Sequence, residues 1–400
     1  MKGKKRHDFF YSLLWVIFHR SLTRRFNYKF DKIEITDTPY IVVSNHLTNW
    51  DPILIGLSFR KPMYYVASDH ILRKGLGKFL QYAISPISRV KTANETQTVI
   101  SIFRRLKENC NICIFAEGST SFDGETGEIQ PSIGKLVKRA GVCLITYKFT
   151  GAYFTFPRWA RFFRRGEMHG RLVQMYSPGK IASMTEDEIY KSIIKDIHVN
   201  AYEIQESNPV AYKGKKRAEY LETALYCCPE CKQFGTLKSR DDTLFCACGF
   251  NVRYNEYCRF EIPDSESPPP LKTIIEWVKW EREEIGKAAI SNNLTVPVFA
   301  DENQKLFEIK KSNTNVLIAV GKLCMYGNRL SVDMKEFLID DIIDMSVITM
   351  KTIIFAVKNA VYEIHSKNPR SALKYVDMYK AVKSLKKTDN AANAAFIRSK

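Results

Sequence analysis

No apolar run in the 400-residue sequence approaches the roughly 20 residues that a bilayer-spanning helix needs; the longest, FFYSLLWVIF from Phe9 to Phe18, covers about half of a hydrocarbon core. A crossing helix is therefore not expected. The preceding MKGKKRH imitates the start of a secretory leader, but no small-residue cleavage site follows, only the basic stretch HRSLTRRFNYKF. The segment is expected to be retained, as a basic, apolar, membrane-associating helix over residues 1–30 on the cytoplasmic face. Negative charge is scarce as well: 43 Asp and Glu face 61 Lys and Arg, a net +18. That excess points to a polyanionic partner, either nucleic acid or an anionic membrane surface, and composition alone does not choose. A disulfide framework is also missing. Of ten cysteines, four fall in one tight cluster with metal-ligand spacing, which favours a reducing compartment and zinc. No internal repeat runs through the chain, and its length predicts two or three domains.

What is present begins with alternation. YIVVSN (40–45), MYYVAS (63–68), NICIFAE (111–117) and GVCLITYKFT (141–150) are short runs rich in β-branched and aromatic residues. Helical stretches separate them: Pro52 to Arg60, Ile71 to Ala83 and Glu95 to Glu108. This predicts an α/β sheet flanked by helices over residues 31–208. QESNPVAYKGKKRAEY then reads as a linker, and a cysteine-rich segment spans 226–256. PDSESPPP breaks the chain. Over 270–385 a helix, KTIIEWVKWEREEIG, precedes short strand-like runs with tight turns at Gly327-Asn328 and Lys358-Asn359. The helical SALKYVDMYKAVKSLKK closes that region, and a polar tail is expected over 386–400.

Chemistry concentrates in Ser44-Asn45-His46-Leu47-Thr48-Asn49-Trp50-Asp51-Pro52, directly after an apolar strand. Ligands favour the carboxyl ends of strands in α/β sheets. A histidine there with a carboxylate five residues on can form an imidazole–carboxylate pair, whose free ring nitrogen activates a substrate hydroxyl. Plainer roles compete: Asp51-Pro52 suits a helix start with Asp51 as N-cap, and a lone histidine is often structural. A second segment, Phe115-Ala116-Glu117-Gly118-Ser119-Thr120-Ser121, ends another strand. Its glycine admits close backbone approach, and its amides and hydroxyls suit an anionic oxygen, although such a segment can equally be a loop.

On these residues the chain resembles the glycerolipid acyltransferases, over roughly residues 35–205. NHLTNWD matches their H-x4-D motif, ISPISRV (84–90) their arginine block, and FAEGSTS their F-P-E-G-T-R-S block, while residues 145–157 occupy the place of the last block. The resemblance implies an O-acyltransferase in phospholipid biosynthesis. His46 is its base and Asp51 the partner; Arg89, Glu117, Gly118 and Ser119 hold the acceptor. The acyl group passes from acyl-CoA or acyl-carrier protein to the hydroxyl of a lysophospholipid, 1-acylglycerol 3-phosphate above all, with no covalent acyl-enzyme. Two departures stand out. Ala116 replaces a proline, and Thr120 replaces an arginine that contacts the acceptor phosphate. The basic run Arg158-Trp-Ala-Arg161-Phe-Phe-Arg164-Arg165 could supply a cation, although a solvated or membrane-facing patch is its plainer reading. Glycerol 3-phosphate, dihydroxyacetone phosphate or a glycolipid therefore stays open as acceptor.

Cys228-x-x-Cys231 and Cys246-x-Cys248 form two pairs a hairpin apart, the pattern of a closed structural zinc site, with Cys227 a possible substitute for Cys228. A redox dithiol or a nucleic-acid reader is the lesser reading. Cys110-x-x-Cys113 leads into a strand and is assigned to the core. The expected fold is thus an α/β acyltransferase-type sheet, a small zinc ribbon and a mainly antiparallel β module that resembles PH-like domains in strand pattern. That module could bind lipid or protein, or serve packing alone. From another class, a non-enzymatic lipid- or nucleic-acid-binding protein would also use a basic surface. Nucleic acid is disfavoured because Phe9 to Phe18 is apolar nearly all round a helical wheel; such a helix enters a membrane interface or packs on a core.

Overall fold

The computed structural model describes residues 2–35, 38–68, 76–89, 96–291, 294–310, 314–358, 360–368 and 370–398. The expected helical residues 71–75 and 95, and Val90 of the arginine block, lie outside them. The chain divides into two compact units, one of residues 1–158, 162–215 and 256–258, the other of 159–161, 216–255 and 259–400.

The first unit is built on seven strands: β1 (Tyr28–Phe30), β2 (Tyr40–Ser44), β3 (Met63–Ser68), β4 (Ile87–Arg89), β5 (Asn111–Phe115), β6 (Cys143–Thr150) and β7 (Met168–Tyr176). Their order is β1-β7-β6-β2-β5-β3-β4. β6, β2, β5, β3 and β4 run parallel, whereas β7 is antiparallel to β6 and carries β1 alongside. Every residue of β2 is buried, as a central parallel strand covered on both faces requires. Ile41 and Val43 face a core shared with the helices Thr96–Lys107, Ser132–Ala140 and Glu186–Ile197. The last of these buries Ile189, Ile193 and Ile197 at helical spacing. Its start is fixed by a capping box between Thr185 and Glu188.

Helix α1 (Lys2–Phe26) is docked on this unit. It buries His7, Tyr11, Leu22 and Phe26, and Trp15 Nε1 donates to the carbonyl of Leu57. The opposite stripe is open: Phe9, Leu13, Val16 and Ile17 recur at helical spacing, and Val16 is 69% exposed. One face of the helix therefore packs on protein, and the other leaves this apolar stripe exposed among the described residues. Among the described residues, no helix is long and apolar enough to cross a membrane. The segment 205–220 is not a free linker. Tyr212 is buried, donating its N–H to the carbonyl of Glu256 and its hydroxyl to that of Glu167, while Lys213 and Arg165 exchange backbone bonds.

The second unit holds two sheets. One is four-stranded and antiparallel, with β8 (Leu237–Arg240), β9 (Thr243–Cys246), β10 (Asn251–Tyr254) and β11 (Phe260–Glu261) in reverse chain order. The other has seven antiparallel strands: β12 (Phe299–Ile309), β13 (Asn315–Met325), β14 (Arg329–Val332), β15 (Lys335–Leu338), β16 (Ile342–Ile348), β17 (Thr352–Val357) and β18 (Ala360–Ser366). Their order is β15-β14-β13-β12-β18-β17-β16. The helices Ile274–Ser291 and Leu373–Arg398 pack on each other. The second continues through the expected tail as far as Arg398. Ala391, Ala392, Ala394 and Ala395 are strong helix formers, so the polar composition there did not end the helix.

Candidate active site

Three loops meet at the carboxyl ends of adjacent parallel strands. β2 delivers His46, β5 delivers residues 116–121, and the chain after β6 delivers Arg158. Asn45 ties two of them together: its Nδ2 donates to the carbonyl of Phe149 at 3.0 Å, and the Phe149 N–H donates to its Oδ1 at 2.8 Å. One side chain thus extends β2 by an imitation of strand pairing.

His46 Nδ1 lies 2.9 Å from Asp51 Oδ2. Asp51 is fully buried, and the same oxygen accepts the N–H groups of Leu47 at 2.7 Å and Thr48 at 2.9 Å. Oδ1 accepts the Thr48 hydroxyl at 2.8 Å. These donors precede helix α2 (Asp51–Ser58), whose N-cap is Trp50. The cap reading of Asp51 therefore fails: its carboxylate faces back into the histidine loop rather than onto the first helical amides. In a neutral imidazole, a carboxylate acceptor at Nδ1 selects the tautomer protonated there, which places the lone pair on Nε2. No described group bonds Nε2, and the imidazole side chain is 16% exposed. The ring stacks on Phe115, with centroids 4.3 Å apart.

The Glu117 carboxylate brackets two loops. Oε1 accepts the His46 N–H at 2.6 Å and Oε2 accepts the Gly127 N–H at 2.7 Å. Both oxygens thus accept backbone N–H groups, which ties the turn after β5 to the His46 loop and to Gly127. Burial pushes the Glu117 carboxyl up to about 8, against the pull of these two amides. A second tie runs from the Ser121 N–H to the His46 carbonyl at 2.9 Å. Gly118 takes a left-handed φ of +66°, and a Cβ there would sit 2.4 Å from Arg89 Nη1. The left-handed backbone and the close approach of Arg89 both favour glycine here. Arg89, at the end of β4, reaches this turn across β3, about 4.8 Å per strand.

Ser119 Oγ accepts Arg158 Nη1 at 2.8 Å, and the Thr120 carbonyl accepts the same nitrogen at 3.2 Å. The guanidinium also lies over the Phe122 ring, 4.1 Å from its centroid. Burial lowers Arg158 to about 9, which leaves it charged at neutral pH. The basic run is thus not a uniformly solvated patch. Arg158 serves the turn, while Arg164 is buried and donates to the carbonyl of Phe154. The residues that sequence reasoning undervalued are Asn45, Thr48, Phe115 and Arg158. The first two sit inside the histidine motif, so their presence there was the only available signal.

In the second unit, the thiols of Cys228, Cys231, Cys246 and Cys248 lie within 4.8 Å of one another. Cys228 and Cys248 Sγ are 3.6 Å apart, and Cys231 and Cys246 Sγ 3.8 Å. A tetrahedral ion with bonds of about 2.3 Å needs sulfur separations of about 3.8 Å, so the four residues fit zinc. Cys227 is outside the cluster. Its N–H and that of Tyr226 donate to Glu281 Oε1, and its carbonyl accepts Trp277 Nε1, which clamps the first knuckle to the helix Ile274–Ser291. Cys110 and Cys113 are buried in the first unit's core.

Residues 25–150 match the family model described as Acyltransferase. That stretch contains His46, Asp51, Arg89 and the turn 117–120, whereas Arg158 lies beyond it. Among solved structures, the crystal structure of the 1-acyl-sn-glycerophosphate (LPA) acyltransferase PlsC from Thermotoga maritima is similar with a TM-score of 0.41 and 17% identity, over 50% of this chain and 80% of that one. No curated protein matches the chain.

Proposed function

We propose that the chain is an O-acyltransferase that moves a fatty acyl group from acyl-CoA or acyl-carrier protein to the hydroxyl of a lysophospholipid, 1-acylglycerol 3-phosphate, in phospholipid biosynthesis. The observation that carries this is the His46–Asp51 pair, with Nδ1 fixed at 2.9 Å and Nε2 unengaged among the described residues, inside the stretch that matches the Acyltransferase model. Nε2 takes the proton of the acceptor hydroxyl as its oxygen attacks the thioester carbonyl. A C–O bond forms, the C–S bond breaks, and the leaving thiolate takes the proton back from the imidazolium. Asp51 stabilises that imidazolium and fixes the ring. In this reading the acceptor hydroxyl is itself the nucleophile, so transfer is direct and no enzyme serine is acylated.

The partners follow the same reading. The exposed stripe of α1, flanked by Lys and Arg, suits the anionic surface from which a lysolipid comes, and supports a peripheral association on the cytoplasmic face. The cysteine cluster is a structural zinc ribbon with four thiolates and no open position. The seven-stranded antiparallel sheet followed by a helix is read as a PH-like module. The test is transfer of labelled acyl groups from either donor to a panel of lysolipids and glycerol phosphates, with His46→Ala alongside. Activity that survives the substitution removes His46 as base. Binding of lipid or nucleic acid with no transfer to any acceptor favours the non-enzymatic class.

A further inference from the structure

The helix Leu373–Arg398 begins in a buried, positively charged corner of the second unit. Ala372, which precedes it, has no side-chain acceptor to cap it, and no acidic residue stands in its first turn. The N–H groups of Leu373, Lys374 and Tyr375 bond no described group. A helix start of this kind carries partial positive charge and unmet donors. Arg370 lies beside it, with its guanidinium carbon 5.4 Å from the Tyr375 ring centre. The residue is 6% exposed, and Nε donates to Gln304 Oε1 at 2.7 Å. Nη1 and Nη2 are buried without a partner, and so is the Ser371 hydroxyl.

Charge does not balance in this corner. Asp301 is the neighbouring carboxylate, and its Oδ2 is already taken by Lys374 Nζ at 2.9 Å and by the Tyr375 hydroxyl at 2.7 Å. Among the described residues no carboxylate pairs with Arg370. Lys351 adds a further cation, its ammonium lowered by burial and by the charges of Arg161 and Arg370. A buried guanidinium with unmet donors is costly, and native structures meet such donors with an anion or with water. Here a planar fork, a hydroxyl and free helix amides converge with excess positive charge, which suits a group with several negative oxygens.

We propose that the start of the helix Leu373–Arg398 is a phosphate-binding site, in which the two Nη nitrogens of Arg370 hold two oxygens of the group and the Ser371 hydroxyl and first-turn amides take the others. The site uses residues of the second unit alone and does not rest on the acyltransferase reading. Occupancy ties the start of this helix to β12, because Arg370 bonds Gln304 at the same time. Free phosphate and a phospholipid headgroup present the same oxygens, and the two sources are separated by experiment.

The full chain is dialysed into phosphate-free chloride buffer and titrated calorimetrically with inorganic phosphate at fixed ionic strength, as wild type, Arg370→Met and Ser371→Ala. Denatured samples are assayed for phosphate retained through purification, and sedimentation is measured with phosphatidic acid and phosphatidylcholine vesicles. The wild type is expected to bind or retain one phosphate per chain. Loss of a charged hydrogen-bonding group weakens binding about 10- to 100-fold in Arg370→Met, and loss of a hydroxyl about three- to tenfold in Ser371→Ala. Ser371→Ala melts with the wild type in phosphate-free buffer, since its hydroxyl bonds nothing in the fold. It therefore decides the matter alone should Arg370→Met fail to fold: weakened binding supports the site, and unchanged binding overturns it. Variant-sensitive binding of inorganic phosphate assigns the site to free phosphate. Variant-sensitive sedimentation with phosphatidic acid vesicles, with no inorganic phosphate bound, assigns it to a headgroup. Binding and sedimentation that are equal in all three proteins, or absent from all three, overturn the proposal.

Discussion

Replacing Asp51 by asparagine separates charge from geometry. The carboxylate accepts four hydrogen bonds, from His46 Nδ1, the N–H groups of Leu47 and Thr48, and the Thr48 hydroxyl. An asparagine whose carbonyl oxygen takes the place of Oδ2 keeps the first three, and its amide donates to the Thr48 hydroxyl, which can turn to accept. The loop is therefore retained. What disappears is the negative charge facing the imidazolium that forms as the acceptor loses its proton. Base catalysis of this kind contributes about 10²- to 10⁴-fold, so kcat is expected to fall within that range while KM for both substrates stays put. Asp51→Ala behaves differently, because it strands two buried backbone N–H groups at about 1–3 kcal/mol each. Thermal melting with turnover distinguishes them: Asp51→Asn melts close to wild type but is nearly inactive, and Asp51→Ala melts early. An asparagine variant with more than a third of wild-type kcat would refute the imidazole–carboxylate argument.

Glu117→Gln offers a pH test. The folded state raises this carboxyl to about 8 from its ordinary 4.5, so its stabilising contribution is complete below about pH 4.5 and is lost as pH rises toward 8. Glutamine also lacks one acceptor for the two amides, so Glu117→Gln melts below wild type in acid, and the gap narrows between pH 5 and pH 9; parallel melting curves contradict the burial argument. Elemental analysis should find one zinc per chain, abolished in Cys231→Ser, with loss of the ribbon's protection against proteolysis; a metal-free wild type that resists proteolysis equally excludes a structural ion. Val16→Lys with Ile17→Lys should weaken sedimentation with phosphatidylglycerol vesicles at least tenfold, since burial of each apolar side chain is worth about 1.5–3 kcal/mol. Unchanged sedimentation removes the α1 stripe as the membrane face.

The strands that hold the site were legible because parallel strands buried on both faces must be written as unbroken apolar runs, as YIVVS and NICIF are. β4 has three residues and β7 lies with much of its length exposed, so neither writes such a run. His46 and Asp51 were legible because their partnership is local, closed within one loop. Glu117 was legible in its motif but its hydrogen bonds were not, since the N–H groups of His46 and Gly127 reach it from other loops. Arg158 was harder still. Its neighbours in the chain are Trp159, buried in the other unit's residues, and a basic run that reads as surface, and only the return of the chain after β6 sets it on the turn. Tyr212 shows the same limit, as a residue in a polar stretch buried by partners that sequence spacing does not announce.

The central claim is tested most directly by steady-state transfer of a labelled acyl group to 1-acylglycerol 3-phosphate, offered from acyl-CoA and from acyl-carrier protein, for wild type and His46→Ala side by side. The account predicts product with the wild type from at least one donor, and a fall of at least 10²-fold in the variant with its melting temperature preserved. Equal product from both proteins, or none from the wild type with any acceptor, would contradict it.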